Sequence, residues 1–125
     1  MQNLKQSRRG FRYEHVISTD GAKRNVIIFE VSYLKSLGGA KGVRVSMRPT
    51  EIEQGDGYTT ESVLLYNEAN ISAWAKMLAR KSDKEVEKIA EALDSKVPLI
   101  IAAYLEDPAK GKAALQQAIS ELEAA

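Results

Sequence analysis

The hydrophobic pattern changes period at Asn67, and that change restricts the chain to a sheet followed by helices. Phe11, Tyr13, His15 and Ile17 alternate with Arg12, Glu14, Val16 and Ser18, which is the two-residue period of a strand. Thr19-Asp20-Gly21 supplies a hairpin turn, because Gly accepts the positive φ that such turns need. Residues 25–33 form a second strand in which Val26, Ile27, Ile28, Phe29 and Val31 are apolar on both faces, so it belongs in the middle of the sheet. Residues 36–42 read as a loop that delivers Val43, Val45 and Met47 to one face and Arg44, Ser46 and Arg48 to the other. Pro49 has no N–H and is expected to end this third strand or sit at an edge. A turn at residues 54–57 leads into a fourth strand over residues 58–66, and the short connections favour an antiparallel meander.

Beyond Asn67, Ile71, Trp74, Ala75 and Leu78 fall at helical spacing and predict a first helix, capped by Asn67 or Asn70 and turning Trp74 towards the sheet. Ser82-Asp-Lys-Glu85 is a capping box for a second helix with Val86, Ile89, Ala90 and Leu93 in one stripe. Pro98 opens a short, very apolar third helix, and Asp107-Pro108 a fourth. Leu115, Ile119 and Leu122 make only a narrow stripe on that last helix, which places it at the domain edge or against a partner chain. The expected fold class is α+β, a four-stranded antiparallel meander followed by three to four C-terminal helices packed on one face. A chain of 125 residues supports one domain, with residues 1–10 flexible, 11–66 as sheet and 67–125 helical.

No Cys is present, so disulfides, thiolate nucleophiles and Cys-ligated metals are excluded. The N-terminal residues have no apolar signal core and no stretch reaches membrane-spanning length, which implies a cytoplasmic protein. His15 is the only histidine, and Glu14 beside it points to the opposite face, so no acid–base pair is evident. The glycine-rich segment 36–42 leads into a strand, unlike a Walker-type loop. Residues 51–56 match a calcium loop only in being acidic. The expectation is a protein without catalytic function, cofactor or metal.

Charge supplies the functional clue. Residues 1–50 carry ten Lys or Arg against three Glu or Asp, a net +7, whereas residues 51–125 carry eight against fourteen, a net −6. This division predicts a positive sheet and a negative helical layer. Arg12, Arg44 and Arg48 would form the centre of a cationic platform, with Arg8, Arg9, Lys23, Arg24 and Lys41 near strand ends and loops. Cations interleaved with aromatic rings suit single-stranded nucleic acid or another phosphate-bearing partner, since charges follow phosphates while rings stack on bases. The plainer reading is a solvated polar sheet face. A protein–protein module, such as an inhibitor of a host protein or an oligomeric adaptor docking an acidic surface, is the alternative.

Val31-Ser-Tyr33, Gly38-Gly39 and the run Gly42-Val-Arg-Val-Ser-Met-Arg-Pro49-Thr-Glu51 resemble a pattern in a family of small proteins of unassigned function carried by bacterial plasmids and phages. The likeness covers about 20 residues and departs at Val43 and Arg44, where aromatic residues are commoner in that family. It implies a mobile-element origin, where small proteins bind nucleic acid or block host enzymes, and it transfers no site residues. Strands followed by a helix are also similar to the element order of the Whirly single-stranded-DNA-binding proteins.

Overall fold

The computed structural model describes residues 1–33, 42–64, 67–76 and 82–124. It is an α+β fold of six antiparallel strands and three helices: β1 Lys5–Ser7, β2 Gly10–Asp20, β3 Lys23–Tyr33, β4 Gly42–Gly55, β5 Tyr58–Val63, β6 Ile71–Lys76, α1 Ser82–Asp94, α2 Val97–Glu106 and α3 Pro108–Ala124. The strands run β1-β2-β3-β4-β5 across the sheet, and β6 also pairs with β4. The meander over the middle of the chain is therefore present, with two strands more than expected.

The additional strands have different causes. β1 is three residues long and pairs only with the start of β2. β6 replaces the expected first helix. Ile71, Ala73 and Ala75 are buried while Ser72 and Trp74 are exposed, so the segment obeys a two-residue period that the apolar spacing of 71, 74, 75 and 78 had disguised. Pairing with an already formed β4 decides between the two readings.

Pro49 does not end its strand, because β4 continues for six more residues. On one side β4 pairs with β3 from Val43 to Glu53. On the other, β6 pairs with residues 42–47 and β5 with residues 50–55. The changeover falls at Arg48 and Pro49, residues with no partner on that side among the described residues, which is where a residue without an N–H costs the sheet least.

The strand alternation then divides the molecule. Ile27, Phe29, Val31, Val43, Val45, Met47, Ile71, Ala73 and Ala75 face the helices and form the main core with Val86, Ile89, Leu93, Ile100, Tyr104, Leu115 and Ile119. α1 lies on β2, β3 and β4, α3 lies on β6, and α2 packs against α3. The narrow stripe of the last helix points inward, since Leu115 and Ile119 are buried and Leu122 packs against the core, so α3 is part of the fold and not a free partner-facing helix. Gly111 allows the close approach of α2 and α3: a Cβ at that position would lie 2.5 Å from Tyr104 Cβ and 2.6 Å from its Cα. Tyr104 in turn donates its hydroxyl to the Ala69 carbonyl at 2.6 Å, tying α2 to the segment before β6.

Residues 1–10, expected to be flexible, are fastened down. Leu4 is in the main core, and the carboxylate of Asp94 at the end of α1 accepts the backbone N–H groups of Gln2 at 2.8 Å, Asn3 at 3.0 Å and Leu4 at 2.7 Å. Burial alone would raise the Asp94 pKa; the three N–H donors outweigh it and hold the carboxyl below its ordinary value.

Two outcomes follow from these contacts. Asp94→Asn should lower stability in urea by about 2 kcal/mol, the scale of hydrogen bonds to a charged acceptor. A carboxyl whose folded pKa is depressed contributes stability that is complete above about pH 4 and lost as pH falls through the folded value, so the variant should lose that part of the acid limb of its stability profile. Gly111→Ala should destabilise by about 1 to 3 kcal/mol through overpacking against Tyr104, read from the thermal or urea midpoint.

Candidate functional site

The face of the sheet away from the helices is built in cross-strand rows. One row is Gly10, Ser32, Arg44 and Trp74; the next is Arg12, Glu30, Ser46 and Ser72; the third is Glu14, Ile28 and Arg48. Further along lie Val26 beside Thr50, then Arg24 beside Ile52. This face is the inside of a curl. Arg12 bonds Glu61 of β5 at 2.5 Å, yet the two are three strands apart in the sheet order and six residues apart in register along β4. In a flat sheet those offsets would separate their Cα atoms by roughly 24 Å, which the two side chains cannot span. The sheet therefore coils until β2 and β5 approach each other.

Inside the coil, Val26, Ile28 and Ile52 form a second, small apolar cluster. Ion pairs accompany it. Arg12 bonds Glu14 at 2.9 Å as well as Glu61, and Arg24 bonds Glu14 at 3.1 Å. Arg12 is only 19% exposed at its side chain, and although burial disfavours its charge, hydrogen bonds and attraction from Glu61 and Glu14 prevail and raise its pKa. Arg12 is thus an architectural cation, not the centre of an open platform. Lys23 meets Glu51 at 3.8 Å, and both Lys23 and Arg24 lie at the far end of β3, about 30 Å along the strand from Ser32. The expected set of cations divides into two groups. Lys41 lies outside the described residues, and Arg8 is exposed in the turn between β1 and β2.

What remains is a cleft of about 380 Å³ at the other end of the face, lined by Arg9, Glu30, Arg44, Ser46, Arg48, Asn70 and Ser72 among others. Arg9 reaches it from the turn before β2, Arg44 and Arg48 from β4, and Ser72 from β6. Glu30 meets Arg48 at 3.5 Å, while Arg9 and Arg44 form no ion pair among the described residues. Three guanidinium groups against one carboxylate leave the cleft positive. Asn70 donates through Nδ2 to the Leu64 carbonyl at 2.6 Å, and its buried Oδ1 has no hydrogen-bond donor.

Trp74 stands directly across from Arg44 on β6, 53% exposed. Its indole rests over Gly42, where an added Cβ would lie 3.1 Å from the ring atom Cε3. A glycine beneath an aromatic ring on a neighbouring strand fixes the ring close to the sheet without hiding its outer surface. Sequence reasoning missed this residue because it assigned Trp74 to a buried helical stripe; the alternation Ile71-Ser-Ala-Trp-Ala-Lys76 was the available signal.

Comparison of the chain with protein-family models, with curated proteins and with solved structures gave no match. Among the described residues, no helix is long and apolar enough to cross a membrane and no group of three or more His, Asp or Glu is placed to hold a metal.

Trp74→Ala should change stability by less than about 1 kcal/mol, as expected for a surface position. Because Trp74 is the only tryptophan, the emission of the unmodified protein should be that of a solvated indole and should be quenched readily by acrylamide.

Proposed function

We propose that the protein binds single-stranded nucleic acid, with phosphates held by Arg9, Arg44 and Arg48 and a base stacked on Trp74. The observation that carries this reading is the juxtaposition of an exposed indole with Arg44, at a part of the concave face where, among the described residues, guanidinium groups outnumber carboxylates. Guanidinium is suited to phosphate oxygens through its planar fork of donors. Stacking on an aromatic side chain contributes about 1 to 3 kcal/mol per base and tolerates any sequence. Ser46, Ser72 and Asn70 add neutral groups able to hydrogen-bond sugar or base edges. Guanidinium, hydroxyl and amide groups hold an anion, and we read the activity as binding without chemical turnover.

A protein-binding role has one observation in its favour. α2 turns Pro98, Leu99, Ala102 and Leu105 outward, with Leu99 74% and Leu105 48% exposed. Such a stripe fits an apolar contact with another protein.

Titration of labelled oligothymidylate by fluorescence anisotropy at several salt concentrations separates the readings. Binding should quench Trp74 emission and weaken log-linearly with salt. The double variant Arg44→Ala and Arg48→Ala should reduce the magnitude of the log–log slope by about 1.4, at roughly 0.7 for each phosphate contact on a single strand. Arg12→Ala, which removes a cation already matched by two carboxylates, should leave the slope unchanged and lower stability instead. Absence of binding at low salt would remove the nucleic-acid reading and leave the protein-partner one.

A further inference from the structure

The cleft is not the end of the polar surface. A second recess of about 550 Å³ lies along the outer edge of β6, lined by Ser72, Ala73 and Trp74 on the strand and by Lys112, Gln116, Ile119, Ser120 and Glu123 on α3. Positions 112, 116, 119/120 and 123 recur at helical spacing, so one face of α3 forms the opposite wall. Ser72 belongs to both recesses, and Trp74, directly across from Arg44 of the first, lines the second. Among the described residues no further strand pairs with β6, so its outer edge is open to this recess.

We infer that a single strand several nucleotides long crosses β6 from the Arg44 and Arg48 cleft to α3, and that Lys112 takes a phosphate beyond the base stacked on Trp74. This rests on the nucleic-acid reading above and adds its extent and direction. Arg44 and Arg48 sit on the same face of β4 about 13 Å apart, a length already greater than one mononucleotide phosphate needs. Lys112 forms no ion pair among the described residues, whereas its neighbour Lys110 meets Glu106 at 3.8 Å. Lys112 and Glu123 are eleven residues apart on α3, about 16 Å along the helix. A polyanion therefore enters the recess at the Lys112 end. Gln116, one turn on, and Ser72 on the facing strand supply hydrogen bonds beside that path. A site that large falls at the lower end of the range for single-strand binders, roughly four nucleotides or more.

The test uses the full chain with dithymidylate and octathymidylate, read by Trp74 quenching and by anisotropy. The unmodified protein should bind the octamer more tightly than the dimer, and Lys112→Ala should weaken the octamer several-fold while reducing its salt slope by about 0.7. Binding of the dimer should be unchanged by that substitution, because the dimer is filled by the cleft and Trp74 alone. Equal loss for both lengths, no loss for either, or equal affinity of the unmodified protein for the two would overturn the path across β6 while leaving the cleft as a nucleotide site. If neither oligonucleotide binds at low salt, the nucleic-acid reading falls and this extension falls with it. Lys112→Arg, which keeps the charge, should restore the octamer affinity; failure to do so would also count against a phosphate contact.

Discussion

The strand β4 pairs directly with three of the other five strands, and β2 and then β1 follow from its neighbour β3. The fourteen residues of β4 hold β3 on one side and, in succession, β6 and β5 on the other. A strand long enough to serve two neighbours end to end accumulates twist along its length, and the sheet built on it coils. The diagonal contact of Arg12 with Glu61 is a product of that coil. So is the burial of Val26, Ile28 and Ile52 on a face that a flat antiparallel sheet would leave to water. The changeover at Arg48 and Pro49 is also where the cleft opens, because a β4 side chain there has no neighbouring strand beside it on one side. Architecture and candidate site thus arise from one constraint.

The same coil reorders the electrostatics. Along the sequence, positive charge is concentrated before Thr50 and negative charge after it. Coiling brings Glu61 of the acidic part onto Arg12, and hairpin pairing brings Glu51 near Lys23, while Glu14 and Glu30, few as they are, sit where they meet Arg24, Arg12 and Arg48. Several of the cations that defined the basic half are matched locally. Surface pairs of this kind contribute little individually. The largely buried Arg12 is different, since it links strands that are distant in the sheet order.

Much of this was legible in the sequence, and the failures have identifiable physical causes. The alternation of residues 11–17 and 43–47 and the Asp-Gly turn state their local structure, because the residues concerned satisfy a backbone requirement by themselves, and α1 begins at Ser82, where the sequence sets a helix start. β6 does not. With Ala at 73 and 75, its buried side is small and helix-tolerant, and only the presence of a free edge on β4 selects the extended form. Residues 1–10 looked mobile for a similar reason: Leu4 and the N–H acceptor Asp94 are ninety residues apart, and no local pattern links them. The cations of the site were recognisable as a class, but which of them stay open depends on register and coil.

A mixed-charge sheet can hold the proposed polyanion only through a local excess of cations. With the formal charge near neutrality, long-range attraction is weak, and affinity depends on a local imbalance held in fixed geometry. Here the imbalance comes from matching Arg12 and Arg24 inside the coil, while Arg9 and Arg44 at its other end form no ion pair among the described residues. Rigidity comes from the strands that carry Arg44 and Trp74 as direct cross-strand neighbours, with the indole set against Gly42. Groups positioned by a sheet lose little further freedom when a ligand arrives, so a small number of contacts retains more of its interaction energy than the same groups would on a mobile loop. The inward-facing Leu115 and Ile119 add to this, because they fix against β6 the α3 surface that carries Lys112, a cation with no ion pair among the described residues, beside the proposed site.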